Sequence, residues 1–288
     1  MNLFPAIKNA IEAALGTSVE KVSPISGGDI NIARLIETPK GNFFVKINDS
    51  PQSAKMLKTE ASGLRLLAQS GVIGIPEVIA QGTTSGTAWL VLEYIAPGAP
   101  SKVFWEDFGR SLATLHKQTS DHFGLDHDNF IGSLPQSNTP KPDTITFLIE
   151  ERLRPQLKLA IQSGQLNNQD LQNFESLFNK LPQLIPDELP ALLHGDLWSG
   201  NFLCSNTGKP ILIDPAISFA HREMDLAMSR LFGGFSGRFY DAYAETFPTE
   251  PGLEDRLGIY QLYYLLVHVN LFGRGYVGQV RTVLSRYL

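Results

Sequence analysis

The run His194-Gly195-Asp196-Leu197-Trp198-Ser199-Gly200-Asn201, followed by Ile211-Leu212-Ile213-Asp214, constrains this chain more than any other feature. It places an acid, an amide and a second acid on two short segments that read as strands joined by a turn. Asp196 and Asn201 share one turn, so an acceptor and an amide come to one locus, and Asp214 emerges at the end of a short apolar strand. Such a set can hold a hydroxyl nucleophile and a magnesium-bound triphosphate together. In phosphoryl transfer the protein does little covalent chemistry. The working parts are an Asp that orients and deprotonates a hydroxyl, and an Asn and an Asp that hold Mg²⁺. The residues therefore point to Asp196 as the catalytic base and to Asn201 and Asp214 as metal ligands. His194 is expected to pack or hydrogen-bond the loop rather than act as the base.

With 288 residues the chain is long enough for one large domain or for two lobes. The −5 net charge gives no global basic field, which argues against a nucleic-acid or anionic-membrane partner. Cys204 is the sole cysteine, so no internal disulfide is possible, and in a strand-like segment it reads as a small packed side chain. The first residues lack a basic stretch followed by an apolar core, and Tyr263–Phe272 is too short and interrupted to span a bilayer. A cytoplasmic protein is expected, a monomer rather than an obligate oligomer.

Apolar spacing predicts a helix over 5–15, strands over 22–25 and 30–36 flanking a Gly27-Gly28 turn, and a strand over 42–47. A helix over 53–69 and strands at 78–79 and 88–94 follow, before Ala96-Pro97-Gly98-Ala99-Pro100 breaks the pattern. The expected fold is α+β and bilobal. Residues 1–95 form an antiparallel sheet with a helix and bind the nucleotide, and residues 96–288 form a larger, mainly helical catalytic and substrate lobe. In that second part helices are expected at 102–117, 144–162 with Pro155 kinking or restarting it, 169–180, 223–231, 253–271 and 277–287. Residues 126–142 show no period and read as a long loop of the functional kind.

Three further groups join the acids. Glu60 lies on or beside the buried stripe of its helix, where a carboxylate needs a cation, and Lys46 on the preceding strand is the candidate partner. That pairing is the arrangement that holds nucleotide α- and β-phosphates in protein-kinase-like folds. Gly27, Gly28, Asp29, Ile30 and Asn31 could lay backbone N–H groups over phosphates, and the stretch lacks the Lys and Ser/Thr of a P-loop. Glu93, Tyr94 and Ile95 end a strand where backbone groups can read adenine. ATP and Mg²⁺ are the cofactors this set implies.

The order glycine loop, Lys46, Glu60, Glu93, Asp196, Asn201, Asp214 resembles the protein-kinase-like fold in its small-molecule phosphotransferase branch. More narrowly, the chain resembles the fructosamine/ketosamine-3-kinase family. The run from His194 to Asn201 carries this, with Ile213-Asp214-Pro215-Ala216 and His221-Arg222-Glu223-Met224-Asp225-Leu226-Ala227. Asn129-Phe130-Ile131-Gly132, Pro135-Gln136-Ser137-Asn138 and Glu151-Arg152-Leu153-Arg154-Pro155-Gln156-Leu157 are similar too. The resemblance implies ATP-dependent phosphorylation of the O3 hydroxyl of small-molecule or protein-borne ketosamines, which makes the adduct labile and releases the amine. It implies that Trp198 packs against the sugar or its carrier, and that the late helix with His268 and Asn270 lines the acceptor side.

Two places depart from the family pattern. Asp29 stands where many eukaryotic members carry a redox-active Cys, and Asp143–Phe147 lacks a Trp often found there. Arg222 reads as the partner of a nearby acid rather than of a phosphate. Two other readings stay open on the residues alone. One is a phosphotransferase acting on an aminoglycoside, choline or homoserine, and the other is a non-catalytic binding module, against which the intact acids argue.

Overall fold

The computed structural model describes residues 4–25 and 31–288. Of the glycine loop, Gly27, Gly28, Asp29 and Ile30 lie outside the described residues. Helix α1 (Pro5–Leu15) buries Ile7, Ile11 and Leu15, the one-sided stripe its spacing demands. Strands β1 (Lys21–Pro24), β2 (Ile32–Thr38) and β3 (Gly41–Asn48) are followed by helix α2 (Ser53–Gln69), β4 (Val78–Thr84) and β5 (Thr87–Glu93). The five strands form one sheet in the order β1-β2-β3-β5-β4, with every neighbouring pair antiparallel.

This sheet is covered on both faces, which is why β5 reads as a continuous apolar run rather than an alternating one. Ala88, Leu90 and Leu92 meet Leu57, Ala61 and Leu64 of α2. Trp89 and Val91 turn the other way and join Ile7, Ile11 and Leu15 of α1. Lys46 sits directly opposite Leu90 in the β3–β5 register, so it projects on the α2 side.

The remaining elements are mainly helical. Helix α3 (Phe104–Leu115) precedes the hairpin β6 (Asn129–Ile131) and β7 (Leu134–Gln136), then α4 (Thr144–Phe147), α5 (Arg154–Gln162), α6 (Asn168–Leu184) and β8 (Ala191–Leu193). A second hairpin, β9 (Phe202–Cys204) and β10 (Pro210–Leu212), leads to β11 (Ser218–Ala220), α7 (Glu223–Leu231), α8 (Gly237–Thr246), α9 (Leu253–Phe272) and α10 (Val277–Leu284). Helix α9 is buried along most of its length, with Tyr260, Tyr263, Tyr264 and Leu266 closed to solvent. Among the described residues no helix is long and apolar enough to cross a membrane.

Several sequence expectations change here. Residues 126–142 are not one loop, since they hold β6 and β7, strands too short to show a period. Between α4 and α5 the backbone runs through a π-helical stretch, Leu148–Leu153, ahead of Pro155 in the first turn of α5. Proline cannot donate to the ladder, so it sits in the first turn of α5, where the helix restarts after the wider turn. Helix α6 extends past its expected end, through Pro182, and α8 was not anticipated.

The chain clusters into two compact units, Met1–Phe104 with Phe202–Pro215, and Trp105–Asn201 with Ala216–Leu288. These differ from lobes split at residue 95, because the second hairpin bonds to the first unit through its backbone. Gly98 N–H donates to Cys204 O at 3.0 Å, and Leu212 N–H donates to Gly74 O at 2.9 Å.

Candidate active site

In the first unit the Lys46 side chain is almost closed to solvent, at 5% exposure. Its Nζ donates to Glu60 Oε1 at 2.7 Å and to Asp214 Oδ1, which lies 168 residues further along the chain. Burial alone would lower the Lys46 pKa, but the carboxylates of Asp214 and Glu60 together raise it, so the ammonium stays charged. Burial raises the Glu60 pKa against the pull of Lys46. Register explains the first contact, since β3 projects Lys46 toward α2. The second depends on β9 and β10 being joined to this unit. Asp214 itself has φ 55°, a left-handed conformation that Asp tolerates better than most side chains and that redirects the chain just past the strand.

The second unit holds the turn from His194 to Asn201. Asn201 Nδ2 donates to the Asp196 backbone oxygen at 2.8 Å and to Asp196 Oδ2 at 3.0 Å. The amide nitrogen of Asn201 therefore fixes the acid, and Oδ1 is its side chain's acceptor atom. His194 is fully buried, and its Nδ1 accepts from Asp196 N–H at 3.3 Å. Gly195 has φ +83°, and a Cβ there would stand 2.0 Å from Ala216 O, so only glycine fits between the two segments. Trp198 folds back over Gly200, where a Cβ would meet the indole at 2.3 Å, and remains 38% exposed.

Sequence reasoning gave no role to the residues that hold this turn. Asp225 of α7, fully buried, accepts from His194 N–H and Gly195 N–H, each at 2.8 Å. His116 Nε2 lies 3.1 Å from Asp225 Oδ2, and His116 Nδ1 lies 2.8 Å from the Tyr243 hydroxyl. With Asp225 as acceptor, Nε2 carries the proton and Tyr243 O–H donates to Nδ1. A second support follows Asp214 in the chain. Asn129 Nδ2 donates to Ile217 O at 2.8 Å, and Gln136 Nε2 donates to Ala216 O at 3.1 Å and to Asn129 Oδ1 at 2.8 Å. Asn138 and the buried Arg152 extend this network, with Arg152 donating to Asn138 Oδ1 at 2.7 Å. In the sequence Asn129, Gln136, Asn138, Arg152 and Asp225 stood only within the family-like runs 129–132, 135–138, 151–157 and 221–227, with no role attached to any of them.

The other expected residues are placed as follows. Asn31 Oδ1 accepts from Asn48 Nδ2 at 2.8 Å. Glu93 ends β5 with an exposed side chain whose Oε2 accepts from Glu77 N–H at 3.2 Å, and Tyr94 and Ile95 are half-buried just beyond. His268 is half-buried in α9, and Asn270 donates to Gln156. Arg222 forms the ion pair expected of it, with two 2.7 Å bonds to Glu188. Among the described residues Glu188, His221 and Glu223 cluster closely enough to hold a metal. Both carboxylates are already matched by guanidinium groups, Arg222 on Glu188 and Arg256 on Glu223, so the cluster is charge-balanced as it stands.

The family model described as fructosamine kinase matches residues 3–288. A protein of Lactiplantibacillus plantarum named "Probable ketoamine kinase" is 41% identical over 273 residues, covering 94% of this chain and 95% of that one. The chloroplastic protein-ribulosamine 3-kinase of Arabidopsis thaliana is 39% identical over 281 residues, 94% of this chain and 84% of that one. A crystal structure of a candidate fructosamine-3-kinase from Thermobifida fusca matches with a TM-score of 0.90 at 32% identity, covering 99% of both chains. An aminoglycoside phosphotransferase shares the fold alone, with a TM-score of 0.64 at 13% identity over 98% of both chains. The α+β, protein-kinase-like fold expected from the motifs is thus the fold of this chain. With the match running along nearly its whole length, the chain belongs to the fructosamine kinase family.

Proposed function

We propose that this chain is an ATP-dependent kinase that phosphorylates the O3 hydroxyl of ketosamines, fructosamine or ribulosamine adducts, as a step of protein deglycation. The observation that carries the reading is the shared bonding of Lys46 to Glu60 and to the distant Asp214, in a member of the fructosamine kinase family. A cation held between two acids is suited to phosphate oxygens, because its charge and direction are set before the nucleotide arrives. Lys46 would hold the α- and β-phosphates, with Gly27, Gly28, Asp29, Ile30 and Asn31 over them and adenine against the backbone of Glu93, Tyr94 and Ile95.

The donor set suits magnesium, since the Asp214 carboxylate and the Asn201 amide oxygen are hard oxygen ligands. Bound there, the ion would neutralise charge on the phosphate oxygens. Asp196 orients the acceptor hydroxyl and takes its proton as the new O–P bond forms and the bond to the ADP oxygen breaks. Trp198 and His268 lie on the acceptor side, where an indole offers an amphipathic face for a sugar. The names ketoamine kinase and ribulosamine 3-kinase among relatives at 41% and 39% identity favour a ketose-amine acceptor over an aminoglycoside, choline or homoserine. An acceptor panel with labelled ATP, the new phosphate located by NMR, tests this. Fructoselysine or ribuloselysine should be phosphorylated at O3, and labelling of kanamycin or choline instead would overturn the assignment.

A further inference from the structure

The second unit also carries a half-exposed aromatic cluster centred on His268. His268 and Phe272 lie four residues apart near the end of α9, so their rings share one face. From the imidazole centroid, the Phe232 ring lies at 4.8 Å, Tyr276 at 4.9 Å and Phe272 at 5.4 Å. Phe272 is 58% exposed and Phe232 40%, whereas Phe108, Phe174 and Phe239 of the same unit are fully buried. Two residues after Phe232 comes Gly234, which packs against Ser199. The segment carrying Phe232 therefore abuts the turn that carries Asp196 and Trp198.

The proton on His268 follows from its partner. The Tyr264 carbonyl can only accept, so Nδ1–H donates to it at 2.8 Å and Nε2 presents a lone pair. Nε2 has no hydrogen-bond partner among the described residues. Burial lowers the His268 pKa, outweighing the carbonyl, so the ring is neutral near pH 7. The cations nearest in sequence are engaged elsewhere, Arg230 with Glu254 and Arg274 with Gly164 O.

Exposed ring faces beside a nitrogen lone pair suit one kind of ligand. A protonated amine is drawn to the ring faces and needs an acceptor for its N–H, whereas a carboxylate or phosphate finds no cation in the four side chains and only the neutral Tyr276 hydroxyl as a donor. We propose that Phe232, His268, Phe272 and Tyr276 form the subsite for the protonated amine of the acceptor, its N–H donating to His268 Nε2. The proposal rests on the ketosamine reading and deepens it, since recognition follows the ammonium group as well as the sugar.

A matched pair of acceptors tests it: fructose bearing propylamine at C1, and the ether in which oxygen replaces that nitrogen. The expected preference of the wild-type enzyme for the amine, in kcat/KM, is about tenfold. The Phe232→Leu/Phe272→Leu double variant and His268→Leu should each bring the ratio toward one, with folding checked by thermal melting. The wild-type ratio stands as a test by itself should a variant fail to fold. Equal use of both acceptors by the wild-type enzyme, or a wild-type ratio in folded variants, overturns the subsite. Phosphorylation of neither compound overturns the ketosamine reading, and the subsite with it.

Discussion

Asp214 and Asp196, the two acids given chemical roles, are held in opposite ways. Asp214 is held by charge, through an ammonium that it shares with Glu60. Asp196 is held by amides: Asn201 Nδ2 bonds its carboxylate and its carbonyl, and Asp225 clamps the backbone just before it. The first arrangement places a full charge in a buried setting, where removing one partner strands the other. The second keeps the turn in shape through hydrogen bonds from an amide side chain and from backbone N–H groups. A phosphate-binding centre benefits from a fixed charge, and a base benefits from a fixed position.

The comparison yields graded predictions. Asp196→Asn preserves the shape of the turn and removes the base, so turnover should fall roughly 10²–10⁴-fold while nucleotide still binds. Wild-type kcat in this variant would end the assignment. Lys46→Met should act on folding as well as on catalysis, because it leaves Glu60 and Asp214 without their shared cation. A loss of roughly 3–5 kcal/mol in denaturant unfolding is expected. Adding Glu60→Gln to that variant should recover part of the loss, and no recovery would mean that the pair is not what stabilises the region.

Asp225→Asn turns an NH₂ group toward backbone N–H donors. It should cost about 1–3 kcal/mol of stability and lower kcat more than it raises KM for ATP. A variant whose kcat and melting temperature both match wild type would show that the clamp does not position Asp196.

The smallest effect concerns pH. Burial depresses the pKa of His221, and the Arg222 pair holds Glu188 low against burial. In both cases the unfolded chain binds the proton more readily. Stability is therefore complete above the unfolded values and lost as pH falls through the folded ones, first for His221 below about 6.5 and then for Glu188 below about 4.5. Melting temperature should fall between pH 7.5 and 5.5 by about 2–4 °C per kcal/mol lost. His221→Gln should flatten that slope, and a parallel slope would assign it to other groups.

Periodicity made α1, α2, the sheet strands and α9 legible, because their buried faces are written in one sequence window. The hairpin β6–β7, the π-helical stretch and α8 were not, being too short or too mixed to carry a period. The same divide runs through the candidate site. Asp196 and Asn201 could be paired from the sequence because five residues separate them, and the Lys46–Glu60 pair followed from a strand leading into a helix.

By itself, then, the sequence determined the longer periodic elements, the order of the chemical groups and the family. Tertiary structure alone decided that Asp214 reaches Lys46, that Asp225 reaches the amides of His194 and Gly195, and that residues 202–215 join the first unit. The physical reason is that a hydrogen bond or ion pair between distant segments depends on how the chain folds back. It leaves no spacing rule in the sequence that a linear reading can detect.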